Sequence, residues 1–242
     1  MFQWSKIDED RFGYKTAKWS ITEKTSKTNE IINQFKLENG ELLIVRVNAK
    51  LHSTLFQLQE NGLFITDTMI TLNLPVSKLN LKENNNSNID ITNATSGNQK
   101  IIKEITRMAF KEYKGHYNNN PLLDTNKCNE VYIDWSGKLV ENKTMADEVF
   151  IAKINNNIIG YASVKVDDKR IAKTGLLAVL PQYQNQGVSK ALNQHRLQWC
   201  KNEGINEIQV ETSLNNVKYI NILTGIGFKA KSSIHVLHLN NF

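Results

Sequence analysis

Leu176-Leu177-Ala178-Val179-Leu180-Pro181-Gln182-Tyr183-Gln184-Asn185-Gln186-Gly187-Val188-Ser189-Lys190-Ala191-Leu192 is the stretch on which the reading of the whole chain turns. Its apolar first part predicts a buried strand that stops at Pro181. A polar loop follows as far as Gly187, and then a helix opens. A strand that feeds a glycine turn into a helix N-terminus is suited to an anion. The first backbone N–H groups of the helix have no partner inside it, and the helix dipole favours negative charge there. Gly187 lets the backbone come close to such a group. No Gly-Lys-Ser/Thr follows, which excludes a nucleoside-triphosphate P-loop.

Downstream, the helix is predicted over residues 188–203, and Gly204 ends it. Residues 207–212, 216–224 and 228–239 then read as strand, helix and strand. Upstream, the central strand extends back to residue 170. Two strands precede it, 148–154 and 158–166, joined by the turn signal Asn155-Asn156-Asn157. Asp124 stands where an N-cap belongs, ahead of a helix through Val131, Trp135 and Leu139. Ile101, Ile105, Met108 and Ala109 share one face of a helix predicted over 98–114 and ended by Gly115. Between these two helices lies a polar, aromatic loop, His116-Tyr117-Asn118-Asn119-Asn120-Pro121.

The first third alternates in the same way. Residues 18–22, 41–47 and 63–74 predict strands, with a helix over 27–37 and another from Leu51 that stops at Asn61-Gly62. This is the rhythm of an α/β layer. Residues 82–98 break it. Asn84-Asn85-Asn86-Ser87-Asn88 is a polar, low-complexity tract that reads as a linker or surface loop, although Ile89-Asp90-Ile91 can still pair at a sheet edge. The expected organisation is α/β with a mixed sheet: a small N-terminal domain over 1–82, a linker over 83–97 and a second domain over 98–242.

Composition narrows the function classes. An apolar share of 40% supports a folded core, and no apolar run approaches the roughly 20 residues of a membrane span. The start, Met1-Phe2-Gln3-Trp4-Ser5-Lys6, has no apolar segment of a secretory signal, so a cytoplasmic location is expected. Two cysteines, Cys128 and Cys200, are too few for a disulfide framework or a cysteine zinc site. The net charge of +6 favours anionic partners. The basic residues are scattered, however, and no clustered stripe with interleaved aromatics argues for nucleic acid. His235 and His238, three apart on a predicted strand, face opposite sides and cannot chelate one metal. His52 and His195 read as surface residues. Nothing suggests a metal centre, a Ser/His/Asp triad or a paired-carboxylate hydrolase.

Gln184-Asn185-Gln186-Gly187-Val188-Ser189 resembles the Arg/Gln-x-x-Gly-x-Gly/Ala loop of the GNAT acyltransferases, with Ser189 in place of the last Gly or Ala. A second motif agrees. Asn216 opens a helix that exits through Gly225 and Gly227 to Phe228, similar to the family's Asn-x-x-Ala-x-x-x-Tyr-x-x-x-Gly-Phe. The element order over 98–242 is also that of the family. A narrower likeness covers nearly the whole chain. The family's dTDP-fucosamine N-acetyltransferases, which act on dTDP-linked amino sugars, carry a small α/β domain ahead of the GNAT domain. Trp4, Phe12-Gly13, His116-Tyr117, Pro121-Leu122, Tyr132, Trp135, the strand 148–152, Ile159-Gly160-Tyr161 and His238 resemble that branch.

The resemblance implies an N-acetyltransferase that uses acetyl-coenzyme A and no metal. It implies that Gln184, Asn185, Gln186, Gly187, Val188, Ser189 and Asn216 hold the cosubstrate. Leu177, Ala178 and Val179 would border the pantetheine arm, and the Val179 N–H would meet the thioester oxygen. His116 and Tyr117 would lie against a nucleotide-sugar acceptor for surface polysaccharide synthesis, and a homodimer is an open option. Two other readings stand beside it: a GNAT acting on a protein, peptide or antibiotic amine, and a non-catalytic acyl-coenzyme A-binding module. The chain departs from the pattern at Leu223, where the family has the tyrosine that protonates the departing thiolate. Tyr219, one turn earlier on the same helix face, is the candidate replacement. A thiol of pKa about 8.5 leaves tolerably without an acid, so Leu223 does not by itself imply inactivity. Tyrosine at 223 is expected to be neutral or slightly activating where the pocket can hold the ring.

Overall fold

A computed structural model describes residues 1–79 and 88–242 of the chain. The part of the linker expectation that falls on residues 83–87 lies outside the described residues. The strands are β1 (Gln3–Trp4), β2 (Thr16–Ile21), β3 (Leu42–Asn48), β4 (Phe64–Pro75), β5 (Asp90–Asn93), β6 (Glu148–Ile154), β7 (Asn157–Val166), β8 (Ile171–Val179), β9 (Glu207–Ser213) and β10 (Lys229–Asn240). The helices are α1 (Lys6–Phe12), α2 (Thr28–Leu37), α3 (His52–Glu60), α4 (Gln99–Ala109), α5 (Thr125–Lys138), α6 (Val188–Asn202) and α7 (Val217–Ile226). The strands form one mixed sheet in the order β1-β2-β3-β10-β4-β9-β8-β7-β6-β5, as the α/β reading expects. Asp90–Asn93 does pair at the edge, antiparallel to β6.

Period-two alternation distributes the side chains over the two faces. In β6, Phe150 and Ala152 pack with Val188, Leu192 and Leu223 of α6 and α7. Their neighbours Val149 and Ile151 pack on the other face with Ile102 and Ile105 of α4 and with Leu139. Towards the other end, Leu43, Val45 and Val47 of β3 meet Ile32 and Phe35 of α2 and Leu58 of α3. Leu42 and Ile44 point to Phe12, Tyr117 and Leu123 instead. Asp124 caps α5 as expected, its Oδ1 accepting from the N–H groups of Asn126 at 2.8 Å and Lys127 at 3.3 Å.

The two segments of the sequence interlock in the sheet. β4 is antiparallel to β9 from Met69↔Ser213 to Pro75↔Glu207, and its other edge is antiparallel to β10. β10 in turn pairs with β3. A strand from the first third therefore separates the last two strands of the chain.

Three elements differ from expectation, the first being β1, which at two residues is too short to show an alternation. α1 is absent from the sequence reading because only Asp8 and Phe12 of its seven residues are buried, which leaves no apolar period to see. α4 ends at Ala109, five residues before the expected Lys114. Phe110 stacks on Tyr132 at 5.1 Å, and Tyr113 meets the same ring edge-on at 5.3 Å. These tertiary ring contacts outweigh the helix propensity of Lys111, Glu112 and Lys114.

Candidate active site

β8 and β9 are parallel and paired only from Ile171↔Glu207 to Thr174↔Val210. Beyond Thr174 they diverge, and a register shift against β7 marks the same place, between Ala162↔Leu177 and Val164↔Thr174. The Leu180 N–H donates to the Ile159 carbonyl on β7 at 2.9 Å. Alternation then turns the N–H groups of Val179 and Leu177 away from β7, into the opening. Gly160, opposite Val179, has no room for a side chain, since a Cβ there would lie 2.8 Å from the Ala178 carbonyl oxygen.

At the end of β8 a 3-10 turn, Pro181–Tyr183, leads to Asn185 and Gly187, both left-handed at φ 62° and 84°. Gly187 is the N-cap of α6, and no side chain caps that terminus. The splay and this terminus open on one cavity of about 670 Å³. Of the residues singled out in the sequence, the cavity is lined by Leu177, Ala178, Val179, Gln184, Asn185, Gly187, Val188, Ser189, Asn216 and Tyr219, and also by His116 and Tyr117. Gln186 does not line it; its side-chain amide donates to the Gln182 carbonyl at 2.8 Å.

Tyr219 is tied into a buried polar chain. Arg196 is wholly enclosed and donates from Nη1 to the Ser163 carbonyl at 3.1 Å. From Nη2 it donates to Asn193 Oδ1 at 2.5 Å and to the Tyr219 hydroxyl oxygen at 3.3 Å. Asn193 donates onward to the Ser189 carbonyl at 2.9 Å, next to the glycine turn. Leu223 points elsewhere. It is fully buried among the residues packed on α6 and α7 and does not line the cavity. The condition set for tyrosine at 223, a pocket with room for the ring, is therefore not met: Leu223→Tyr overpacks the core and should cost about 1–3 kcal/mol, read as a lower melting temperature without any gain in rate.

At the other end of the cavity the loop 115–123 packs against α1 and β10. Tyr117 is buried, and its hydroxyl donates to Asp8 Oδ1 at 2.7 Å. Burial and the Asp8 carboxylate hold that phenol well above its usual pKa, so Tyr117 offers the cavity a ring face rather than a hydroxyl. Burial alone would raise the Asp8 pKa, but its hydrogen bonds from Lys18, Ser5 and Tyr117 together leave it below the ordinary value. His116 stacks on Tyr117 at 3.9 Å between ring centres. Its Nδ1 lies 2.9 Å from Nε2 of His238, a fully buried residue of β10. Burial first, and the neighbouring His238 second, push His116 well below the usual histidine pKa, and burial takes His238 down to about 3.

Several lining residues carry no motif and were not visible in the sequence. Lys190 and Lys218 bring positive charge to the side of the glycine turn. Arg46 of β3 and Glu211 of β9 meet across the cavity at 2.5 Å, 165 residues apart. Trp135 packs in the α4–α5 cluster but also lines the cavity, and its buried indole N–H has no hydrogen-bond partner among the described residues. The two histidines expected to be unrelated are so: His235 Nδ1 meets Thr68 Oγ1 at 3.0 Å. His195, read as surface, is half-buried with its ring 4.9 Å from Phe150. Among the described residues no group of three or more His, Cys, Asp or Glu could hold a metal ion, and no helix is long and apolar enough to cross a membrane.

A splayed parallel strand pair and a glycine turn at the following helix thus open on one cavity. Residues 104–228 match the model of the Acetyltransferase (GNAT) family, and the chain belongs to that family. Family members use acetyl-coenzyme A. The chain is 25% identical over 144 residues to the spore coat polysaccharide biosynthesis protein SpsD of Bacillus subtilis (strain 168), covering 59% of this chain and 48% of that protein. It is 30% identical over 95 residues to N-alpha-acetyltransferase 30 of Schizosaccharomyces pombe (strain 972 / ATCC 24843), covering 38% and 63%. The chain thus spans about half the length of the first relative and under two thirds of the second. The solved structure of a GCN5-related N-acetyltransferase from Kribbella flavida superposes with a TM-score of 0.65 at 13% identity, over 94% of this chain and 81% of that one.

Proposed function

We propose that this enzyme transfers acetyl from acetyl-coenzyme A to the amine of a dTDP-linked amino-deoxy sugar, in surface polysaccharide synthesis. The observation that carries the reading is the continuity of one cavity, lined by the Gly187 turn, the open edge of β8 and the polar and aromatic loop bearing His116 and Tyr117. The name of the Bacillus relative points the same way.

In this reading the N–H groups after Gly187 take the pyrophosphate, which the helix dipole favours, with Gln184, Asn185, Gln186 and Ser189 forming the turn. Asn216, whose amide donates to Thr212 Oγ1 at 3.2 Å, borders the pantetheine arm beside Leu177 and Ala178. The Val179 N–H takes the thioester oxygen, and one such donor contributes about 10²–10³ in rate. The amine nitrogen bonds to the carbonyl carbon, its proton passes to water, and the carbon–sulfur bond breaks. Tyr219 gives the departing thiolate its proton and regains one from solvent. Arg196 holds that phenol in place, its Nη2 donating to the Tyr219 hydroxyl oxygen at 3.3 Å.

Tyr219→Phe should therefore lower kcat by about tenfold, below the usual 10²–10⁴ for acid catalysis because the thiolate is a tolerable leaving group. Acetyl-coenzyme A affinity should hardly change. Wild-type kcat across pH in the variant, measured where chemistry limits the rate, would remove Tyr219 from the mechanism.

The acceptor is tested by binding. A ligand that binds only the folded state stabilises it by mass action, by about 2.7 kcal/mol at 100 times its Kd. Millimolar dTDP is expected to raise the melting temperature by several degrees. A shift with coenzyme A but none with dTDP would turn the reading to the second one, a peptide amine, for which the Schizosaccharomyces relative is the motive.

A further inference from the structure

We propose that His116 serves the acceptor substrate as a fixed hydrogen-bond donor through Nε2–H, its tautomer set by a relay from the backbone of Leu122 through Asn120 and His238, and that it is not the base that takes the amine's proton. The proposal rests on the acceptor reading for what His116 touches, while the relay is a property of the protein alone.

The relay starts at a group whose role is certain. The Leu122 N–H can only donate, and it lies 3.1 Å from Asn120 Oδ1. The oxygen of that amide therefore faces Leu122 and its NH₂ faces away. Asn240 closes a reciprocal pair with the same amide. Asn120 Nδ2 donates to Asn240 Oδ1 at 2.9 Å, and Asn240 Nδ2 donates to Asn120 Oδ1 at 3.0 Å. The second N–H of Asn120 points at His238 Nδ1, 3.0 Å away. That nitrogen must accept, so the neutral His238 ring carries its proton on Nε2. Nε2 lies 2.9 Å from His116 Nδ1, which must accept in turn, so the neutral His116 ring carries its proton on Nε2.

The reverse assignment fails at once, because it sets the Asn120 N–H against a His238 N–H. Asn120 and His238 are buried, at 1% and 0% exposure, so water does not compete for these sites. A proton added to His116 would have to go on Nδ1 and would meet the His238 Nε2–H. The basic lone pair of His116 is thus already in use. Its other nitrogen offers the cavity an N–H, whose natural partner is an oxygen lone pair on a hydroxyl, a ring ether or a phosphate, and never an ammonium.

The test begins with the free protein at pH 7, labelled with ¹⁵N-histidine. Long-range ¹H–¹⁵N spectra should show both His116 and His238 as neutral Nε2–H rings. A His116 ring protonated on Nδ1, or charged, overturns the proposal whatever the acceptor is. The donor role is tested with dTDP-4-amino-4,6-dideoxygalactose. His116→Gln keeps an N–H donor in the chain and should raise the KM for the sugar less than a variant without one. His116→Glu offers only acceptors and should raise the KM for the sugar about tenfold or more, with the acetyl-coenzyme A KM unchanged. Equal KM values for the two variants overturn the donor role. In Asn120→Asp an acceptor replaces the relay's donor, and both ring tautomers should invert in the spectrum. A folded Asn120→Asp protein with unchanged tautomers refutes the relay. Wild-type protein inactive on this sugar, yet showing the expected tautomers, sinks the acceptor reading and supports the relay.

Discussion

Gly187→Val is expected to weaken acetyl-coenzyme A binding about 100-fold, which is about 2.8 kcal/mol at about 1.4 kcal/mol per factor of ten. Gly187 sits at φ 84°, where a β-branched residue is strained and the turn must rearrange to relieve it. The same residue is the N-cap from which α6 departs, so its rearrangement tilts the N–H groups that the proposed function assigns to the pyrophosphate. Backbone strain of this kind costs about 1–3 kcal/mol, which a domain of this size should survive. Calorimetry with coenzyme A reads the affinity, and a thermal melt confirms that the variant is folded. An unchanged Kd in folded Gly187→Val would take the turn out of the site.

The second large effect is a loss of stability in mild acid. Both His116 and His238 are held below the ordinary histidine pKa, His238 at about 3. The unfolded chain takes up their protons as pH falls through about 6.5, while the folded chain does not, so ν_U exceeds ν_N and stability falls with pH. His238 alone accounts for about 2 kcal/mol at pH 5 on this relation. His116 adds in the same sense, and so does His235, lowered by burial. Asp67 opposes them, since burial raises its pKa and its stabilising effect on protonation grows as pH falls. Asp8, held low, keeps its contribution until the pH drops below its ordinary value of 3.8. Denaturation midpoints should therefore decline between pH 7 and pH 5, and the decline should flatten in His238→Asn. A midpoint that stays level over that range would contradict the buried neutral histidines.

The glycine turn and the Asn216 helix were legible because each depends on short-range signals. A strand that stops at proline, a glycine with positive φ and an apolar period of 3.6 all lie within one window of sequence. Hence β8, α6, β9, α7 and β10 fall within two residues of their expected ends. The acceptor end of the cavity was legible only in part. His116 and Tyr117 stood out as a polar aromatic loop, but their partners come from α1 and from β10, over 100 residues away. Arg46 and Glu211 are ordinary strand residues until the sheet sets β3 and β9 on either side of β10 and β4. The orientation of Leu223 was misjudged for a similar reason. Helical spacing states which residues share a face, and only the packing of α7 on α6 decides which face turns inward.

The placement of β4 between β9 and β10 governs how the chain can be made and cut. During synthesis β4 emerges well over a hundred residues before either of its neighbours, so both of its edges must wait for the last strands to leave the ribosome. Pairings of such long sequence separation incur their loop-closure entropy before any contact offsets it, which slows folding and leaves strand edges open meanwhile. The same arrangement ties residues 98–242 to the first third of the sequence through both edges of β4. Without β4 the strands that carry the Asn216 helix and His238 would each keep an uncovered edge, the geometry that invites pairing between chains. The first third of the sequence thus supplies strands to the same sheet that carries the last two strands of the chain.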